Sequence, residues 1–464
     1  MAEIITDYLV IGAGTAGMAF ADALLDGSDV DVVLVDRRHG PGGHWNDAYP
    51  FVRLHQPSAF YGVNSRILGD DRMDESGENA GYYQRATAGE ICDYFVQVLD
   101  GLKATGRAKF FPMSDYVGDG SDDHSLVSRL TGQTTTVKVR RRLVDATFLE
   151  ASIPKTHQRS FAVEPGVTCI PVNDLAERIE PASGYTVIGS GKTAMDACTW
   201  LLDNGVAPAQ VRWIRPRDAW LLDRNFQQPG ELVSLLIDGI SLNIESVAQA
   251  EDLDDLFRRL EASGQLLRID PHVRPTTYRC ATVNARELEA VRSIENVVRL
   301  GYVRRIESTR IVLDDGEIVT DSAHVHVDCT AEGLRSRPSQ PVFASKGITL
   351  QSLRTCQPSF NSALMGFIET LDVDDDEKNR LCPPNPYPTT AEDWLRSFVV
   401  NARAQSRWDK APEVSAWIEG SRLNAARAMR DHLHEPRMQA ALARLFEHGG
   451  PSKNNALKLI ASMP

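Results

Sequence analysis

A chain of 464 residues, 42% apolar and 24% charged, is long enough for two or three domains with proper cores and has the composition of an ordinary globular protein. Its formal net charge of −13 argues against general binding to nucleic acid or to anionic membranes, while leaving room for local basic pockets. No apolar run approaches the length of a membrane span, and the first strand begins where a signal peptide would stand, so a cytoplasmic protein is expected.

Tyr8-Leu9-Val10-Ile11 reads as a buried parallel strand that ends in glycine. Met18, Ala21 and Leu25 then recur at helical spacing, and Asp31 to Val35 forms a second strand, completing a βαβ unit. The turn between them is Gly12-Ala13-Gly14-Thr15-Ala16-Gly17. Gly12 permits the tight turn, Gly14 lets backbone approach a pyrophosphate, and Gly17 lets the helix pack on the strand. The helix N-terminus offers unpaired N–H groups to phosphate. Asp36 follows Gly17 at about twenty residues, where an acid accepts hydrogen bonds from ribose hydroxyls and repels a 2′-phosphate. Arg37 beside it is a further candidate contact.

Beyond a polar loop near Gly69 to Gly81, a helix is expected from Ala88 to about Ala104. Strand-like material follows at Lys109 to Val117 and Thr134 to Phe148, with Gly118-Asp119-Gly120-Ser121-Asp122-Asp123 as the turn between. Tyr185-Thr186-Val187-Ile188 is again a short apolar strand, and Gly189-Ser190-Gly191-Lys192-Thr193-Ala194 repeats the fingerprint with alanine in the third place. Gly-Ser-Gly-Lys-Thr looks like the end of a P-loop. Thr186 stands where that motif requires glycine, so this reading fails. The next strand, Val211 to Ile214, ends in Arg215-Pro216-Arg217 instead of an acid. Arginine grips phosphate oxygens in pairs, so Arg215 and Arg217 suit the 2′-phosphate of NADPH.

Two strands end in the same pattern, Asp145-Ala146-Thr147 and Asp328-Cys329-Thr330, and they bracket the second fingerprint. The echo implies that the second nucleotide domain is inserted in the first. Amphipathic helices are expected at Leu253 to Gln265 and Ala285 to Ser293. The tail is mainly helical, over Glu392 to Ala402, Pro412 to His432 and Met438 to His448. It could cover a cofactor, shape a substrate pocket or build a homodimer contact. Asp431, His432, His434 and His448 lack a metal spacing, so no metal is expected. The seven cysteines are scattered and contain no Cys-x-x-Cys, so buried unpaired thiols are expected and a redox pair is not.

Gly42-Gly43-His44-Trp45, Tyr49-Pro50 and Arg53-Leu54-His55-Gln56-Pro57-Ser58 resemble the flavin-containing monooxygenase superfamily, which carries Gly-Gly-x-Trp after its first βαβ unit and an Arg-Leu-His-x-Pro-like run soon after. The resemblance implies an α/β fold with two Rossmann-like domains and a helical C-terminal region. FAD would occupy residues 1–150 and 326–375, NADPH residues 151–325, and helices residues 376–464. By the same resemblance Gly12, Gly14 and Gly17 hold the FAD pyrophosphate and Asp36 its ribose, Ala16 is a further cofactor-binding residue, and Gly43, His44 and Trp45 lie along the cofactor. Asn64 falls near the place of an asparagine beside the flavin and nicotinamide, and is the catalytic candidate. The superfamily's Phe-x-Gly-x-x-x-His is missing: Phe161 and Gly166 do not keep its spacing, and Ile170 stands where histidine belongs.

The function implied is an FAD-dependent oxidoreductase reduced by NADPH, a monooxygenase that acts with O2 on a small organic substrate through a flavin C4a-hydroperoxide. Two alternatives stay open: an NADPH-dependent flavin reductase or oxidase without oxygen insertion, and a flavin-binding redox sensor without catalysis.

Overall fold

The structure, a computed structural model, describes residues 2–118, 123–334 and 337–463. The turn expected at Asp119 to Asp122 lies outside the described residues.

The first sheet is built on the strand Ala2–Ile11, whose Leu9 and Val10 are fully buried. Val32–Val35 pairs with it in parallel on one side and Thr134–Asp145 on the other. Ala108–Phe111 extends one edge and Gly347–Thr349 the other, also in parallel. An antiparallel pair, Ser114–Gly118 and Asp123–Ser128, feeds into Thr134–Asp145. One face is covered by the helices Thr15–Asp26 and Pro358–Thr370, whose Phe20, Leu24, Phe360 and Leu364 belong to one buried cluster. They approach closely because Gly366 has no side chain: a Cβ there would stand 2.5 Å from the Phe20 carbonyl oxygen.

The second sheet is parallel throughout, in the order Val297–Val298, Val211–Ile214, Gly184–Ile188, His324–Asp328, Cys169–Pro171. The two sheets repeat one plan. Ile11, just before the first glycine turn, pairs with Asp145, and Ile188, just before the second, pairs with Asp328. Each aspartate then clips its own chain. Asp145 Oδ1 accepts from Thr147 N at 2.8 Å and Thr147 Oγ1 at 2.7 Å, and Asp328 Oδ1 from Thr330 N at 3.0 Å and Thr330 Oγ1 at 2.7 Å. The echo in the sequence is therefore a repeated strand end, at both crossings between the sheets. It also moves one boundary: His324–Asp328 belongs to the second sheet, so the chain returns to the first only after Asp328, and rejoins it at Phe343–Ala344.

The helix expected from Ala88 runs Ala88–Ala104, opened by a capping box between Thr87 and Glu90. The amphipathic segments form helices at Leu253–Ala262 and Ala285–Arg292. In the tail, Ala391–Trp408 and Pro412–Gly420 are helices, and Pro436–Ala461 runs well past the expected end at His448, through Gly449, Gly450 and Pro451. Tertiary contact overrides those breakers. The helix lies along Val233–Gln249, which the sequence pattern did not mark. Arg444 Nη1 reaches Asp238 at 2.8 Å, and beyond the proline Asn455 Nδ2 donates to the Val247 and Ala250 carbonyls at 2.9 and 2.7 Å. Among the described residues no helix is long and apolar enough to cross a membrane.

Candidate cofactor and active site

A cavity of about 890 Å³ opens at the carboxyl ends of the first sheet's strands, large for a ligand site and placed where open α/β sheets bind ligands. The first turn forms its floor. Gly12 has φ +99°, and a Cβ at Gly17 would overlap the Gly12 carbonyl oxygen, so both positions demand glycine. Gly43, at φ +58°, faces the turn: a Cβ there would stand 2.9 Å from Gly14 Cα. Gly42 N donates to the Ala13 carbonyl at 2.9 Å and fastens this second glycine loop to the turn. The result is a bare backbone cradle beside a helix N-terminus, which is what a pyrophosphate requires.

Asp36 borders the cradle and is only 6% exposed. Its Oδ2 accepts from Ala13 N and its Oδ1 from Arg38 N, each at 2.8 Å. These bonds fix the carboxylate and leave lone pairs on both oxygens for a sugar hydroxyl. Ala16 and Arg37 also line the cavity, and Arg37 stands 3.5 Å from Glu150.

Farther along the wall are His44, Trp45, His55 and Tyr61. Trp45 Nε1 donates to Tyr61 Oη at 2.6 Å, and Tyr61 Oη also meets Thr15 Oγ1 on the first helix. Burial pushes the Tyr61 phenol up to about 12. Burial, with the nearby Arg38 cation, lowers His44 to about 4, and burial with Lys192 lowers His55 to about 4. At neutral pH this wall therefore carries neutral imidazoles and a protonated phenol. Tyr61 follows the Arg-Leu-His run by a few residues, and no local pattern marks it.

The second turn is built alike and used differently. Gly189 has φ +137°, and a Cβ there would stand 2.5 Å from the Cys329 carbonyl oxygen. Ala194 is buried against the strand, and Ser190 and Gly191 are partly or fully open to solvent. Of this turn, Thr193 reaches the cavity. Lys192 is occupied by ion pairs with Asp196 and, at 3.1 Å, Glu287. Glu287 also binds Arg224 at 2.5 Å and stands 3.8 Å from Arg85. Burial alone would raise the Glu287 carboxyl, but Lys192, Arg224 and Arg85 outweigh it and hold it at about 2. This cluster ties Arg85, from the segment after the first glycine turn, to Lys192, Arg224 and Glu287 around the second, and nothing in the spacing of its members announced it.

Three expectations change. Arg215 is 2% exposed, with Nε 3.0 Å from Asp218 and its guanidinium 4.6 Å above the Trp213 ring, so its fork is turned inward; Arg217 is exposed. Asn64 does not border the cavity. Its Oδ1 accepts from Ser421 Oγ at 2.7 Å, because Arg422 of the helical tail ties down the neighbouring Tyr61 and Val63 carbonyls. Cys280 and Cys356 are joined in a disulfide although 76 residues separate them, and both border the cavity. The other cysteines, Cys92, Cys169, Cys198, Cys329 and Cys382, are free.

Residues 10–61 match the family model described as an NAD(P)-binding Rossmann-like domain. The chain is 46% identical to "Uncharacterized protein Rv2000" of Mycobacterium tuberculosis (strain ATCC 25618 / H37Rv) over 445 residues, 95% of this chain and 82% of that one. "Uncharacterized protein Mb2023" of Mycobacterium bovis (strain ATCC BAA-935 / AF2122/97) matches to the same extent. Among solved structures, a cyclohexanone-bound cyclohexanone monooxygenase in its rotated conformation superposes with a TM-score of 0.50 at 12% identity, over 97% of this chain and 98% of that one. The chain thus belongs to the family of these mycobacterial proteins and shares its fold with a cyclohexanone monooxygenase.

Proposed function

We propose that the protein is an FAD-dependent oxidoreductase that takes its electrons from NADPH and acts, in the cytoplasm, as a monooxygenase on a small organic substrate. The observation that carries this reading is one cavity bordered by the glycine cradle with Asp36 and by Thr193 of the second turn. The Gly12, Gly14 and Gly43 cradle fits a pyrophosphate, since side chains there would fill the space that phosphate oxygens need. Asp36 would hold the adenosine ribose, and Arg217, an exposed cation at the end of the strand Val211–Ile214, would meet the 2′-phosphate. When bound, flavin supplies the two-electron chemistry between nicotinamide and oxygen.

The chain's own part is orientation, hydrogen bonding and exclusion of water. Trp45 and Tyr61 close one wall, their polar tips satisfied by each other and by Thr15. His44 and His55, held neutral, offer hydrogen bonds without placing a fixed cation in the cavity. The cyclohexanone monooxygenase that shares the fold acts, by its name, on a cyclic ketone.

The test is the visible spectrum of the purified protein before and after NADPH, followed by substrate-dependent oxygen uptake. A flavin spectrum bleached by NADPH and restored by air, with uptake coupled to an oxygenated product, is expected. Bleaching with stoichiometric hydrogen peroxide for every substrate tried would leave a reductase or oxidase. A flavin that NADPH does not bleach would overturn the reading.

A further inference from the structure

We propose that the Cys280–Cys356 disulfide is a redox-active pair, a second two-electron acceptor inside the cofactor cavity. The proposal rests on the flavin and NADPH reading above. Cys280 lies on the strand Thr277–Val283, in the second half of the molecule. Cys356 lies in the loop between the strand Gly347–Thr349 and the helix Pro358–Thr370, at the carboxyl edge of the first sheet. The bond therefore spans the two nucleotide-binding halves across the cavity that the first turn floors.

Three observations separate it from a structural staple. First, staples stabilise domains that cannot bury enough apolar surface, whereas each half here has its own extensive buried core. In a reducing cytoplasm, moreover, a persistent disulfide is characteristically catalytic or redox-sensing. Second, both cysteines are partly exposed, and the surface they expose borders the cavity. Cys198, Cys329 and Cys382, in contrast, are buried in apolar surroundings that push their thiols well above the ordinary value and make them poor nucleophiles. Third, Cys356 has φ +61°, a left-handed backbone that a non-glycine residue adopts only when its surroundings hold it there. Those surroundings are specific. Gln56, in the Arg-Leu-His run and itself on the cavity wall, donates to the Cys356 carbonyl at 3.3 Å. Thr355 N donates to Asn401 at 3.3 Å, and Arg354 N to Asn361 at 2.8 Å.

The step balances as NADPH + H+ + Cys280–S–S–Cys356 → NADP+ + Cys280–SH + Cys356–SH. The S–S bond breaks and two S–H bonds form. The nicotinamide gives up a hydride, whose electron pair reaches the disulfide by way of the flavin, and solvent supplies the second proton. The flavin ends as it began. Reduction also severs the covalent link between the two halves.

The experiment counts thiols in the denatured wild-type holoenzyme, before and after anaerobic NADPH, by alkylation and mass spectrometry. Of seven cysteines, five should react in the protein as purified and all seven after NADPH, with Cys280 and Cys356 the two that change. Anaerobic titration should consume two NADPH per flavin in the wild type, and one in Cys280→Ser or Cys356→Ser. A bleached flavin with the count still at five overturns the pair as a redox centre and leaves the proposed function standing. Seven reactive thiols at the outset overturn it also. Where NADPH fails to bleach the flavin, the proposed function fails, and photoreduction of the flavin replaces NADPH: a rise to seven sustains the pair and no rise overturns it. A protein that binds no flavin overturns both.

Discussion

The two glycine turns share a backbone plan and differ in what they leave free. Both follow a parallel strand, both open a helix, and both sit beside a strand ending in the same Asp-x-Thr clip. The first spends its acid on its own geometry: Asp36 fixes Ala13 and still faces the cavity. The second spends its strand-end arginine on the core, where Arg215 is locked between Asp218 and Trp213. A fingerprint therefore specifies the backbone that can receive phosphate. Whether the strand-end side chain is available to a ligand depends on neighbours that the fingerprint does not contain.

The largest expected effect lies where the two turns are joined. Glu287→Gln would leave Arg224, which has no exposed surface, without its carboxylate, whereas Lys192 keeps Asp196 and Arg85 keeps Glu78. Breaking a buried pair in this way costs about 3–5 kcal/mol, so the thermal midpoint should fall sharply, and both turns should loosen together in hydrogen exchange. The pH dependence has a definite sign. Glu287 is held at about 2, below its ordinary 4.5, so its contribution is complete above pH 4.5 and is lost as pH falls from there toward 2. The variant should lack that part of the acid destabilisation. A midpoint unchanged from wild type at neutral pH would show that the halves are joined elsewhere.

The third position of each turn sharpens the contrast. Gly17→Ala places a methyl on the Gly12 carbonyl oxygen, and an overpacked contact with backbone costs about 3 kcal/mol or more. Ala194→Gly at the matching place removes a buried methyl and adds chain entropy, costing about 1–2 kcal/mol. Circular-dichroism melts of the pair should show the first turn as the less tolerant. Equal losses would mean that the two helices sit equally close to their strands.

The fold was largely legible because its signals are local. Strand, glycine turn, helix and a matching Asp-x-Thr are each written within about 25 residues, and the capping box at Thr87 marks its helix directly. The site was legible only where the backbone makes it. Gly12, Gly17 and Gly43 are forced by sterics that any glycine pattern carries. Side-chain destinations were not: Asn64 is drawn away by Ser421, some 350 residues on, and Cys280 finds Cys356 across a domain crossing. The tail helix failed for the same reason in reverse. Gly449-Gly450-Pro451 is a local stop signal, and contacts with Val233–Gln249 beyond it keep the helix going.

The arginines test whether exposure decides function. On the NADPH reading, Arg217→Ala removes a charge-assisted phosphate contact of about 1.5–3 kcal/mol, a ten- to hundredfold rise in KM for NADPH with little change for NADH. Its thermal midpoint should stay near wild type, since the side chain is exposed. Arg215→Ala should do the opposite, lowering the midpoint by leaving Asp218 with only Arg299 for company, and moving KM less. If Arg215→Ala has the larger effect on KM, the inward fork must turn out to meet the nucleotide.

Asp36→Asn carries the smallest expected effect because most of what Asp36 does survives it. The amide oxygen can still accept from Ala13 N, so the turn keeps its shape; the loss is one oxygen's charge toward the ribose and the acceptor from which Arg38 N now benefits. That difference is about 1 kcal/mol, a five- to tenfold weaker Kd for the flavin, with the melt of the apoprotein almost unmoved. The variant thus separates two roles that one carboxylate combines. Weaker flavin binding in an unaltered apoprotein identifies Asp36 as a ligand, whereas an apoprotein that melts early assigns it to the turn, as Arg215 is assigned to the core.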